Sequence, residues 1–267
     1  MKPHLIVCKT GPIVLNIWYR DALKQNAKGR FLIFCYGLPS HPYQHNPAKV
    51  EKLIDEGFVL VYPDYIGTYA SEGVMKWERC VQTVHRTIAF LKGGRGVDIA
   101  DGRVHRWSVK DIGLIGGSFG ASVVMVAGAS SRDVSNIIAV AGPTQWKNHS
   151  RIPQENAEPI EEIYGTIRKG WGHLWRIPSK KEWNRLAHDK ADLNPIDYVS
   201  ELRNKNLMLI HGKKDHVVAP LRSQELYDRV KGGHGKHRLI LLDGYGHLGN
   251  DVVGDPKVLR RVLEFLK

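Results

Sequence analysis

Short apolar runs alternate with longer amphipathic or polar stretches along most of the chain. Residues 4–9 and 12–20, on either side of Thr10-Gly11, read as two antiparallel strands joined by a turn. After a polar link at 21–30, Phe-Leu-Ile-Phe-Cys at 31–35 and Phe-Val-Leu-Val-Tyr at 58–62 are apolar without interruption. Such runs suit strands buried on both faces. A helix is expected between them at 47–56 and an amphipathic helix at 74–91. A polar, Gly-rich connection at 92–111 leads to an apolar strand from Ile112, a helix at 119–130 and a buried strand at 137–140. The rhythm resumes with a strand at 207–210, a helix at 221–230, a strand at 238–242 and a last helix at 256–266.

Buried strands alternating with helices predict an α/β fold, a mostly parallel sheet flanked by helices. Ligands of such sheets bind at the carboxyl ends of the strands. Residues 143–205 break the rhythm. They hold Trp146, Trp171, Trp175 and Trp183, many charges and little strand character. The expected organisation is a core of 1–142 and 206–267 with an inserted helical cap at 143–205.

A chain of 267 residues can bury a sizeable core without covalent staples. Its three cysteines have no close spacing and read as buried, reduced thiols of a cytoplasmic protein. Residues 1–9 lack a signal-peptide core of sufficient length. The net charge of +12 comes without a zinc-finger or aromatic RNA-binding motif, and its charges are dispersed. A solvated basic surface is expected and no nucleic-acid partner. Residues 112–130 carry no charge, but their five glycines argue against a membrane span. Homo-oligomerisation is left open.

Gly116-Gly117-Ser118-Phe119-Gly120 fits G-x-S-x-G, the strand–turn–helix signature of an exposed nucleophilic serine. A side chain at 116 or 120 would collide with the crowded backbone there. The helix that follows points its positive end at a developing oxyanion. Asp215 follows the strand at 207–210 in His211-Gly-Lys-Lys-Asp215, and His247 follows the strand at 238–242 in Asp243-Gly-Tyr-Gly-His247. The order Ser118, Asp215, His247 is that of α/β-hydrolase triads. Asp243 is a weaker rival for the acid. The loop at 141–146, another place for an acid, contains no carboxylate. Gly244-Tyr-Gly-His-Leu-Gly249 fits a dinucleotide fingerprint, but too little chain remains after it for the unit that motif needs. His41 and His45 are four residues apart without an accompanying H-E-x-x-H pattern, so no metal site is assigned.

Together with Tyr36-Gly-Leu-Pro and Pro63-Asp-Tyr-Ile-Gly, these motifs resemble the α/β-hydrolase superfamily over nearly the whole chain. The branch resembled holds small serine esterases, dienelactone-hydrolase-like proteins and prolyl-oligopeptidase-like peptidases. The resemblance implies Ser118 as nucleophile, His247 as general base and Asp215 as its orienting acid. It places oxyanion donors at the N–H groups of Leu38 and Phe119; Pro39 has none to give. Where the family usually has His before the glycine, this chain has Tyr36. His211 and His216 are assigned to the acid loop.

The expected activity is hydrolysis of carboxylic esters through an acyl-enzyme, without cofactor, on a small-molecule ester or peptide substrate. The alternatives are a peptidase of the prolyl-oligopeptidase-like or serine-aminopeptidase kind and a non-catalytic receptor or scaffold of the same fold. Trp171 and Trp175 are candidate substrate-binding residues, against a purely packing role. Arg168, Lys169, Arg176, Lys180 and Lys181 either draw an anionic substrate or form a solvated face.

Overall fold

The computed structural model describes residues 2–20, 28–41, 47–147 and 152–267. Eight strands form one sheet in the order β1-β2-β4-β3-β7-β8-β9-β10. β1 (His4–Thr10) and β2 (Ile13–Tyr19) form the expected hairpin, and β2 runs antiparallel to β4 (Phe58–Pro63). From β4 onward, β3 (Lys28–Cys35), β7 (Ser108–Gly117), β8 (Asn136–Val140), β9 (Asn206–Gly212) and β10 (His237–Leu242) are parallel. α2 (Trp77–Lys92), α3 (Phe119–Ala129) and α7 (Pro220–Val230) pack their buried residues into the cluster on one face. α1 (Glu51–Asp55) and α8 (Pro256–Leu266) cover the other. The sheet is α/β-hydrolase in class, as expected.

The strand order reverses between β3 and β7, because the chain goes from β3 to β4 on one side and then crosses to β7 on the other. Such a reversal opens a crevice at the carboxyl ends, where ligands of open parallel sheets bind. The turns after β3 and β7 flank that crevice.

Three local expectations change. The connection at 92–111 contains a small second sheet, β5 (Arg95–Val97) with β6 (Val104–Arg106). Strands of three residues are too short to show an alternating pattern. Trp107 anchors this hairpin, its indole N–H donating to Leu91 O at 2.7 Å. The helix at 47–56 divides into a 3₁₀ turn (Pro47–Val50) and α1. The helix expected from 74 starts at Trp77, after an extended Lys76.

Between β8 and β9 lie α4 (Tyr164–Trp171), α5 (Lys180–Ala187) and α6 (Val199–Leu202). α5 begins at Ser179, whose hydroxyl accepts from the N–H of Glu182, the three-residue spacing of a capping box. The segment lies over the carboxyl ends of the strands. Trp175 donates to Ser40 O after β3, Thr68 after β4 bridges Trp175, and Gln154 donates to Asp215 O after β9.

Candidate active site

Ser118 sits at the turn between β7 and α3 with φ 53° and ψ −122°, a left-handed backbone that a non-glycine residue adopts only under constraint. The constraint is steric. A Cβ on Gly116 would overlap Gly120 O, one on Gly120 would overlap Cys35 O, and one on Gly117 would overlap Asn250 N. Strand, helix and the loop before α8 therefore close on the turn backbone to backbone, and the serine side chain is the part that projects. Ser118 is half-buried, with its Oγ 3.0 Å from His247 Nε2.

His247 comes from the loop after β10. Its Nδ1 lies 2.8 Å from Asp215 Oδ2. A carboxylate only accepts, so Nδ1 carries the proton and Nε2 is left to accept from the Ser118 hydroxyl. Asp215 is fully buried and uses both oxygens. Oδ1 accepts from the N–H groups of Val217 (2.9 Å) and Val218 (3.0 Å). Oδ2 faces a second imidazole, His211, at 3.2 Å. Burial pulls the Asp215 carboxyl upward. Bonds from His211 and His247, the His247 charge and the Val218 amide outweigh it and hold the group well below the usual carboxylate range.

His211 is itself fully buried. Its Nε2 faces Val218 O at 2.8 Å as well as Asp215, so the proton is on Nε2, and Nδ1 accepts from Ser223 Oγ at 2.7 Å. The sequence alone assigns it only to the loop; its position four residues before the acid, at the end of an apolar strand, is the signal that could find it. Gln154 Nε2 donates to the Lys213 and Asp215 carbonyls, and Asn156 N–H to His216 O. The buried Glu155–Arg222 pair closes the same seam, with Nε–Oε1 at 2.5 Å. Thus the acid loop is clamped by the segment between β8 and β9. Asp243, the rival acid, is exposed and paired with Lys213 at 2.9 Å.

Loop 36–39 passes beside the nucleophile: a Cβ on Gly37 would lie 3.2 Å from Ser118 Cβ. Tyr36, which replaces the family's usual histidine, is buried. Its hydroxyl accepts from Tyr65 N–H (2.9 Å) and bonds Thr68 Oγ1 (3.0 Å), tying this loop to the one after β4. The Phe119 N–H opens α3, where amides lack upstream carbonyl partners within the helix.

The two candidate substrate tryptophans stand elsewhere. Trp175 is 1 % exposed and packs against Tyr36, Tyr65, Tyr69 and Phe119, with ring centroids 5.9–6.2 Å apart. Trp171 donates its indole N–H to His41 Nε2 at 3.2 Å. Neither lines the cavity of about 680 Å³ onto which Ser118 and His247 open. Trp175 packs the inserted segment onto the loops after β3 and β4, and Trp171 sits beside His41, so neither faces the cavity that Ser118 and His247 share. Among the five cap cations, Arg176 is held by the carbonyls of Gly73, Tyr69 and Ser71. His41 is itself outside any helix, and His45 lies outside the described residues.

A model of X-Pro dipeptidyl-peptidases (S15 family) matches residues 35–182, more than half of the chain. The chain belongs to the S15 family. It is accordingly a serine hydrolase. The match covers the loop after β3, the serine turn and much of the inserted segment, and ends before Asp215 and His247. No curated protein matches this S15-family sequence. Solved structures resemble its fold. The Pyrococcus furiosus esterase Pf2001 superposes with TM-score 0.65 at 19% identity, covering 99% of this chain and 91% of that one. Est1E from Butyrivibrio proteoclasticus gives 0.61 at 16%, covering 98% of each chain. The Pyrococcus horikoshii acylaminoacyl peptidase gives 0.63 at 17%, covering 99% of this chain and 40% of that one. Among the described residues, no helix is long and apolar enough to cross a membrane.

Proposed function

We propose that the protein hydrolyses carboxylic esters of small molecules through an acyl-enzyme on Ser118. The hydrogen-bonded line from Ser118 through His247 to Asp215, open to a cavity, carries this reading. His247 Nε2 takes the hydroxyl proton as Oγ bonds to the ester carbon. The charge that develops on the carbonyl oxygen is met by the N–H groups of Leu38 and Phe119 at the positive end of α3. The C–O bond to the alcohol then breaks, and the proton on His247 goes to the departing oxygen. Water repeats the sequence on the acyl-enzyme and restores Ser118. Asp215 fixes the imidazole tautomer and stabilises the imidazolium.

A peptidase is the second reading, and the S15 match favours it. Against it stands the charge at the cavity. Asp251 is the one carboxylate among the described lining residues, and Lys49 pairs with it at 2.6 Å. A peptide ammonium would have to displace that lysine. The segment at 143–205 acts as a fixed cover, a role supported by its seams to the loops after β3, β4 and β9. Free, buried Cys8, Cys35 and Cys80 support a cytoplasmic location. The deciding experiment compares p-nitrophenyl esters with aminoacyl and X-Pro p-nitroanilides. Ester turnover exceeding amide turnover by orders of magnitude supports the proposal; preferential release from an X-Pro amide transfers the assignment to a peptidase.

A further inference from the structure

The cavity beside Ser118 lies on the α1/α8 side of the crevice, away from the aromatic cluster of the inserted segment. Its apolar wall includes Phe34 and Tyr62, at the ends of β3 and β4, stacked with centroids 4.9 Å apart. Leu38, Ala48, Val50 and Leu248 continue that wall. Two 3₁₀ turns, Pro47–Val50 and Asn250–Gly254, form one side. They meet without side chains between them, since a Cβ on Gly254 would overlap Lys49 O. Asn250 Nδ2 donates to Cys35 O at 3.0 Å and fixes the second turn to the end of β3. The Lys49–Asp251 pair joins the two turns at the solvent side, where the lysine side chain is 77% exposed.

We propose that this cavity is the acyl pocket and that it takes an apolar, straight-chain or aromatic acyl group. The proposal rests on the esterase reading above. Its volume is that of a small-molecule site. The acyl part is chosen over the alcohol on kinetic grounds. After the first step the alcohol must leave and water must enter, while the acyl group stays bonded to Ser118. An apolar bed built from sheet ends and packed turns benefits the part that stays.

Two p-nitrophenyl or acetyl series separate these parts: one varies the acyl chain from acetyl to octanoyl at constant alcohol, the other varies the alcohol at constant acetyl. The acyl pocket predicts that kcat/KM rises along the first series and stays flat along the second. Ala48 is exposed and lines the cavity, so Ala48→Phe adds bulk at the cavity wall rather than in the core. It should lower the octanoyl-to-acetyl ratio about tenfold, the scale of a few methylene contacts. Val217→Trp, on the acid loop beside the cavity, gives the same readout should Ala48→Phe not fold. Length dependence that follows the alcohol, or variants that change all acyl lengths alike, overturns the proposal. Alkyl fluorophosphonates of graded length separate it from the esterase reading. Length-graded labelling of Ser118 without ester turnover supports the pocket and defeats the esterase. Ester turnover without length grading does the reverse.

Discussion

The serine turn and the segment between β8 and β9 are held in opposite ways. At the turn the backbone does the work: close approaches at Gly116, Gly117 and Gly120 leave room for hydrogen alone around Ser118, which sits at φ 53°. Between β8 and β9, side chains do it. Trp175 fills an aromatic cluster, Arg176 grips three carbonyls, and Glu155 with Arg222 forms a buried pair. A backbone-held turn needs particular residues at particular spacings. A side-chain-held cover can be assembled from many combinations of large and charged residues. The first is therefore readable as chemistry, and the second is a platform on which chemistry depends.

Asp215 lies where both regions contribute, and it has the largest predicted effect short of removing the nucleophile. Asp215→Asn should lower kcat by roughly 10⁴-fold, because the imidazole loses the partner that sets its tautomer. Asp243→Asn, whose carboxylate faces solvent and Lys213, should leave kcat near the parent value. Steady-state rates of the two variants check this; the reverse ranking would move the acid to Asp243.

Trp175 tests the second region. Trp175→Ala removes a ring that is 1 % exposed and should cost about 3–5 kcal/mol of stability. The folded fraction should keep the acyl-length preference of the parent. Thermal melting and the ester profile, measured on the same samples, separate packing from substrate contact. An altered profile at unchanged stability would return Trp175 to the substrate site.

The smallest effect is a pH dependence at the loop after β4, which Arg176 of the second region grips. Burial raises the Asp64 carboxyl to about 7, although Ala70 N–H and the nearby Arg176 charge oppose it. The folded state then holds a proton that the unfolded state releases near the usual carboxylate range. This contribution to stability is complete below about pH 4 and is lost as pH rises towards 7. Asp64→Asn should flatten that part of the Tm-against-pH curve. An unchanged slope would mean that Asp64 ionises normally in the folded protein.

Much of the sheet was legible because β3, β4, β8 and β9 are short runs of apolar residues bounded by loop residues. The Gly-x-Ser-x-Gly spacing located the turn for the steric reason found in the structure. The Asp215 and His247 positions were readable because each follows an apolar strand. The second imidazole at His211 was visible as a residue but not as a contact: its partners, Val218 and Ser223, depend on how the acid loop folds back. Trp171 and Trp175 were ambiguous because a buried tryptophan and a pocket-lining tryptophan have the same composition signature. The apolar cavity is not legible in the sequence because Phe34 and Tyr62 read simply as strand core, although their positions at the strand ends bring them to the site.

The most direct test of the account is covalent. Incubation with an alkyl fluorophosphonate, followed by proteolysis and mass spectrometry, should place one adduct on the peptide containing Ser118, and Ser118→Ala should lose both the adduct and all ester turnover. An adduct on another residue, or labelling retained in Ser118→Ala, would contradict it.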